Sequence, residues 1–122
     1  MKILLVDDHL PTVRPLVLLL SAAGHEVATA GTLRDARVAL RGGGVDLLLA
    51  DHGLPDGDGC ELGIDAAALG VPAVALTARA YPDDVARSRV AGFATHLAKP
   101  VPVDELLATV ERVGAPARAA DA

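Results

Sequence analysis

Two short apolar runs in this sequence end in acid: KILLV (2–6) leads into Asp7 and Asp8, and VDLLLA (45–50) leads into Asp51. Another, PAVALT (72–77), ends in the hydroxyl of Thr77 followed by the small Ala78, and ATHLA (94–98) delivers Lys99 and Pro100. Three carboxylates in one crevice are costly. Two unit charges ~4 Å apart repel by roughly 4 kcal/mol at an effective dielectric of 20. One ammonium offsets one acid, and a divalent cation would balance the remaining two. Oxygen-only ligands that keep several waters point to Mg²⁺ more than to zinc. A carboxylate nucleophile, a metal, a cation and a neutral donor are the parts that phosphoryl transfer requires.

The stretch after the third acid fits that chemistry. In DHGLPDGDG (51–59) a strand delivers Asp51 and the chain then breaks into a loop able to curl around a metal and a phosphoryl group. Gly53 can present its backbone carbonyl without a side chain in the way, Gly57 and Gly59 allow tight turning, and Pro55 stiffens the bend. Asp56 and Asp58 read as loop acids that add negative field. Histidines follow the acids at His9 and His52, but consecutive residues at a strand end point in different directions, which disfavours a shared transition-metal site.

The elements that must carry these groups are legible as five apolar runs, the four above and EVATA (26–30). The first, third and fourth are nearly continuous rather than alternating, as strands buried on both faces of a parallel sheet are. Helical patterns fill the gaps at 12–23, 33–41, 59–69, 83–91 and 103–113. Gly24 ends the first, Thr32 with Asp35 opens the second, and Gly92 stops the fourth. Pro15 is awkward in the first helix and is tolerated near its first turn. The Gly42–Gly44 run lacks the lysine and helix start of a phosphate-binding loop and reads as a turn. Strand then helix, five times, predicts an α/β domain with right-handed crossovers, a (βα)5 doubly wound parallel sheet. With the common order 2-1-3-4-5, strands one and three meet where the order reverses, and ligands sit beyond their carboxyl ends. The domain is expected over 1–113, with a flexible tail over 114–122.

Composition narrows the function. The chain has 122 residues, 52% of them apolar, yet Tyr81 and Phe93 are its only aromatics, so rings for stacking a flavin or a base are scarce. A net charge of −5 argues against direct nucleic-acid binding. The single Cys60 permits no internal disulfide and fits a reducing compartment. The N-terminal apolar run is too short for a signal peptide or a membrane span. A cytoplasmic protein is the expectation.

Taken in order, VDD (6–8), Asp51 after its strand, LPDGDG (54–59), LTA (76–78) and KP (99–100) resemble the receiver domain of two-component response regulators over essentially the whole chain. The resemblance implies a flavodoxin-like fold and a switch that is not a true enzyme. Asp51 would be the phosphoacceptor, taking its phosphoryl group from a phosphohistidine of a sensor histidine kinase or a histidine phosphotransfer domain. Asp8 would bind Mg²⁺ directly, Asp7 mainly through a metal-bound water, and the Gly53 carbonyl would complete the protein ligands. Thr77 and Lys99 would each hold a phosphoryl oxygen, and the bond before Pro100 would be cis. A downstream protein or fused domain would read the face of the fourth helix, fifth strand and fifth helix.

Three positions depart from the family pattern. His96 stands where an aromatic switch residue is usual, Arg79 flanks the water path with Gly53, and Pro15 falls on the kinase-docking helix. A rival class is a receiver-like interaction module that signals without phosphorylation. Another, an aspartyl phosphatase resembling haloacid dehalogenases, needs Asp-x-Asp where this chain has Asp7-Asp8-His9. The wording ADHGLPDGDG (50–59) is similar to receivers fused behind histidine kinases, so both a stand-alone regulator and a piece of a hybrid kinase fit.

Overall fold

The computed structural model describes residues 1–77, 86 and 89–121, with side chains through Gly114. Strands β1 (Lys2–Val6), β2 (Glu26–Ala30), β3 (Leu47–Asp51), β4 (Ala73–Thr77) and β5 (Thr95–Ala98) form one parallel sheet. Its order is β2-β1-β3-β4-β5, as expected. Helices α1 (Leu10–Ala22), α2 (Leu33–Arg41) and α3 (Cys60–Ala68) fill the crossovers, and a C-terminal helix spans Val103–Asp121. Between β3 and α3 lies a small antiparallel ribbon, Gly53–Leu54 against Gly57–Asp58.

The continuous apolar runs have a simple cause. Ile3, Leu5, Leu47 and Leu49 pack with Leu16 and Leu20 of α1 and with Leu106 and Val110 of the C-terminal helix. Their neighbours Leu4, Val6, Leu48 and Ala50 pack on the other side with Leu33, Ala36 and Leu62 of α2 and α3. Both faces of each central strand are therefore dry, and no polar residue can interrupt the run until the strand ends. The odd-numbered side, which faces α1, is the side that Asp7, Asp51 and Lys99 continue past the strand tips.

Helix α2 starts and ends as read, with the Thr32 hydroxyl accepting from the Asp35 amide at 3.1 Å. Helix α1 starts earlier than expected, so Pro15 is not near the first turn but inside the helix, with Pro11 occupying that turn instead. The lost hydrogen bond is the one Pro15 would have donated back to Pro11. The C-terminal helix runs past Val113 into the stretch read as a tail, whose side chains from 115 on lie outside the described residues. The helix expected over 83–91 also falls largely outside them. Among the described residues, no helix is long and apolar enough to cross a membrane.

Gly63 sits in the middle of α3 against Phe93. A methyl group there would meet Phe93 Cε2 at 2.6 Å and the Ala91 carbonyl at 2.7 Å. Gly63→Ala should therefore destabilise the fold by about 2 kcal/mol despite its better helix propensity. Urea unfolding of the two proteins measures this directly.

Candidate functional site

The tips of β1, β3 and β5 converge. Val6 and Ala50 are register partners, so Asp7 and Asp51 are the next residues along two adjacent strands. Thr77 pairs with Ala98 across β4 and β5, and the Lys99 amide donates to the Thr77 carbonyl at 2.8 Å, placing Lys99 one step beyond the ladder. Its ammonium reaches across two strands. Lys99 Nζ donates to Asp7 Oδ2 at 2.5 Å and to Asp51 Oδ2 at 3.0 Å. The bond between Lys99 and Pro100 is cis.

Asp7, Asp8 and Asp51 each bring a carboxylate oxygen within 4.8 Å of the others. Asp7 is 3% exposed while Asp8 is open to solvent, so the cluster is graded from a dry floor to a wet rim. All these donors are hard oxygens, and the formal charge of three carboxylates and one ammonium is negative. That donor set suits a hard divalent cation such as Mg²⁺. Burial alone would lower the Lys99 pKa, but its hydrogen bonds to Asp7 and Asp51 outweigh that and hold it above the ordinary lysine value. The lysine is thus a fixed cation.

The loop after Asp51 folds back on it. The Gly53 amide donates to Asp51 Oδ1 at 3.3 Å, and the Gly59 amide to the His52 carbonyl at 2.8 Å. Neither Gly57 nor Gly59 has positive φ. Their small size serves close approach rather than unusual turning: a Cβ on Gly59 would fall 1.8 Å from the Asp51 carbonyl oxygen, and one on Gly57 would meet Leu33 Cδ2 at 2.8 Å. His52 lays its ring against Phe93, with centroids 5.9 Å apart. The His9 ring bonds Thr12 through Nδ1 at 2.8 Å and is not among the clustered ligand groups, while its backbone amide donates to Asp7 Oδ1 at 3.0 Å.

Of the residues singled out in the sequence, Asp7, Asp8, Asp51 and Lys99 come together, and Gly53 adjoins them. Thr77, 7% exposed, ends β4 beside them, while His96 lies half-buried on β5 in register with Ala75. Arg79 lies outside the described residues. Two residues do more than the sequence suggested. Asp56 is not merely a loop acid: it accepts from the amides of Leu33 at 2.7 Å and Arg34 at 3.1 Å, at the start of α2. Arg37, whose partners no local motif announces, bridges Glu61 and Asp65 on α3.

Comparison with known proteins points one way. The family model for the response regulator receiver domain matches residues 3–111. The swarming motility regulation protein RssB of Serratia marcescens is 37% identical over 115 residues, 93% of this chain and 52% of RssB. The sensor histidine kinase RcsC of Salmonella typhi is 35% identical over 112 residues, 90% of this chain and 12% of RcsC. The chain thus spans about half of one of these relatives and a small part of the other. In structure it is similar to a CheY-like response regulator receiver domain protein from Methanospirillum hungatei JF-1, with a TM-score of 0.90 and 28% identity over 96% of this chain and 95% of that one.

Proposed function

The chain belongs to the response regulator receiver domain family, and from that premise we propose that it is the phosphoacceptor switch of a two-component phosphorelay. Asp51 takes a phosphoryl group from a phosphohistidine on a sensor histidine kinase or a histidine phosphotransfer domain. A carboxylate oxygen of Asp51 forms the new bond to phosphorus as the phosphorus–nitrogen bond of the donor breaks. The imidazole leaves with the bonding pair and takes a proton from solvent. The single observation that carries this reading is the Lys99 ammonium held between Asp7 and Asp51 at the strand tips.

Each group then has a task. Asp7, Asp8, Asp51 and the Gly53 carbonyl would hold Mg²⁺, with Asp7, the buried member, acting mainly through a metal-bound water. Bound there, the ion supplies positive charge for the phosphoryl oxygens. Lys99 neutralises another of those oxygens, and the Thr77 hydroxyl donates to a third. Arg79 and the open backbone at Gly53 set water access to the acyl phosphate and so its lifetime.

Partner surfaces follow from position. Beside Lys99 and Pro100, Pro11, Pro15 and Leu19 of α1 line a shallow groove where the phosphohistidine donor docks. The acyl phosphate biases a pre-existing equilibrium on the face of β4, β5 and the C-terminal helix. There His96, Glu105 and Arg112 line a second, more polar groove for a downstream protein or fused domain. His96 occupies the place of the family's aromatic switch residue, half-buried on β5 in register with Ala75. The acidic chain acts in the cytoplasm through protein contacts and binds neither nucleic acid nor membrane.

The test is to incubate the protein with Mg²⁺ and a small acyl-phosphate donor and measure its intact mass. One labile phosphoryl addition is expected, absent when the metal is chelated. A folded protein that gains nothing would instead be a receiver-like interaction module.

A further inference from the structure

The ribbon that carries Gly53 is held at two ends by different means. At its base the Gly59 amide bonds the His52 carbonyl, and the Cys60 amide donates to Asp58 Oδ1 at 2.9 Å. At its tip the chain turns through Pro55 and Asp56, and there both Asp56 oxygens leave the loop to meet α2. Oδ1 accepts from the Leu33 amide and Oδ2 from the Arg34 amide. These are first-turn N–H groups with no partner inside the helix, at the end where the helix dipole favours an anion. Thr32 satisfies a different donor, the Asp35 amide, so the two caps divide the work. The two backbone N–H bonds also draw the Asp56 pKa below its ordinary value, which keeps the carboxylate ionised. Gly57 packs closely beside the contact, since a Cβ there would come within 2.8 Å of Leu33 Cδ2 and force that side chain to shift.

We propose that Asp56 is a positioning residue for the Asp51 site: by gripping the first turn of α2 it holds the ribbon, and with it the Gly53 backbone, in the place that metal binding and phosphoryl uptake need. The proposal rests on the receiver reading above. Gly53 and Leu54 pair with Asp58 and Gly57, so a tip released from α2 lets the whole ribbon pivot about its base. Gly53 lies at that pivot, two residues from Asp51, where a small displacement separates ligands that must act together.

Asp56→Ala, Asp56→Asn and Thr32→Ala distinguish positioning from simple helix capping, because Thr32→Ala removes a cap from the same helix without touching the ribbon. Mg²⁺ affinity is followed by amide chemical shifts, and hydrogen exchange of the Gly53 and Gly59 amides is measured without metal. Asp56→Ala should weaken Mg²⁺ binding about 10-fold and speed exchange at both glycines. Asp56→Asn, which keeps one acceptor, should do so less, and Thr32→Ala should leave both readouts unchanged. Unchanged Mg²⁺ affinity in folded Asp56→Ala, or an equal loss in Thr32→Ala, overturns the proposal. If Asp56→Ala does not fold, Asp56→Asn is judged by the same criteria. If the wild type binds no Mg²⁺ and gains no phosphoryl group, the receiver reading fails, and glycine exchange alone decides whether Asp56 holds the ribbon.

Discussion

Asp51→Asn is expected to gain no phosphoryl group from an acyl-phosphate donor, while its metal-free form unfolds at a urea concentration no lower than the wild type. The first half follows from electron demand. An amide oxygen gives up its lone pair far less readily than a carboxylate, so the attack on phosphorus stops. The second half is electrostatic. The substitution removes repulsion from Asp7 and Asp8 and one attraction, the 3.0 Å contact with Lys99. Lys99 keeps Asp7 at 2.5 Å, so it is not left unpaired. Each gross interaction is roughly 4 kcal/mol at ~4 Å and a dielectric of 20, and solvent at the rim screens the Asp8 part most. The balance favours the variant by about 1 kcal/mol. Intact mass and urea titration in chelator read the two halves separately. A residual adduct would mean that the acceptor lies elsewhere. Marked destabilisation would mean that the Asp51–Lys99 pair outweighs the crowding of acids.

Such a separation of function from stability is what a built site looks like: charge is concentrated where the fold alone would not place it. That concentration is also why the site could be read from the sequence. Strands with two dry faces must be apolar from end to end, so the first polar residue after such a run marks a strand tip, as Asp7 and Asp51 do. Parallel topology puts those tips on one edge. Side-chain alternation then sends Asp7, Asp51 and Lys99 toward the same face, which the spacing of the runs already contains.

What escaped the reading depends on contacts between distant segments. Asp56 and Leu33 are 23 residues apart, and nothing local marks either one as the other's partner. The unsatisfied amides of Leu33 and Arg34 were the available signal, since Thr32 can serve only one donor of α2. That signal calls for an acceptor without saying where it comes from. Arg37 poses the same problem, its partners lying on α3. Gly57 and Gly59 were visible as glycines, but their reason, the nearness of Leu33 and of the Asp51 carbonyl, exists only once the chain has folded. Pro15 misled in the opposite direction. Proline marks first turns so often that the earlier start at Leu10 was hidden.

Lys99→Met tests the other half of the charge balance and should damage both stability and chemistry. Methionine fills much of the same space but leaves Asp7, with a fully buried side chain, and Asp51, at 15% exposure, facing each other with no cation. Removing one partner from a buried ion pair costs about 3 kcal/mol. In chelator the variant should therefore be about 3 kcal/mol less stable near neutral pH. Mg²⁺ should narrow the gap, since it supplies the missing charge. Phosphoryl uptake should fall about 100-fold, because a fixed positive group facing the transferred oxygens is lost. The alkaline side gives an independent check. The folded pKa of Lys99 is raised above its ordinary 10.5, so its stabilisation is fully present below that value and is lost as pH climbs through the raised one. Wild type and Lys99→Met should thus converge in strong alkali. Urea titrations across the pH range decide the matter: a gap that persists after the lysine has lost its proton would assign the loss to methylene packing, and the charge bridge would no longer explain why three acids can share one strand edge.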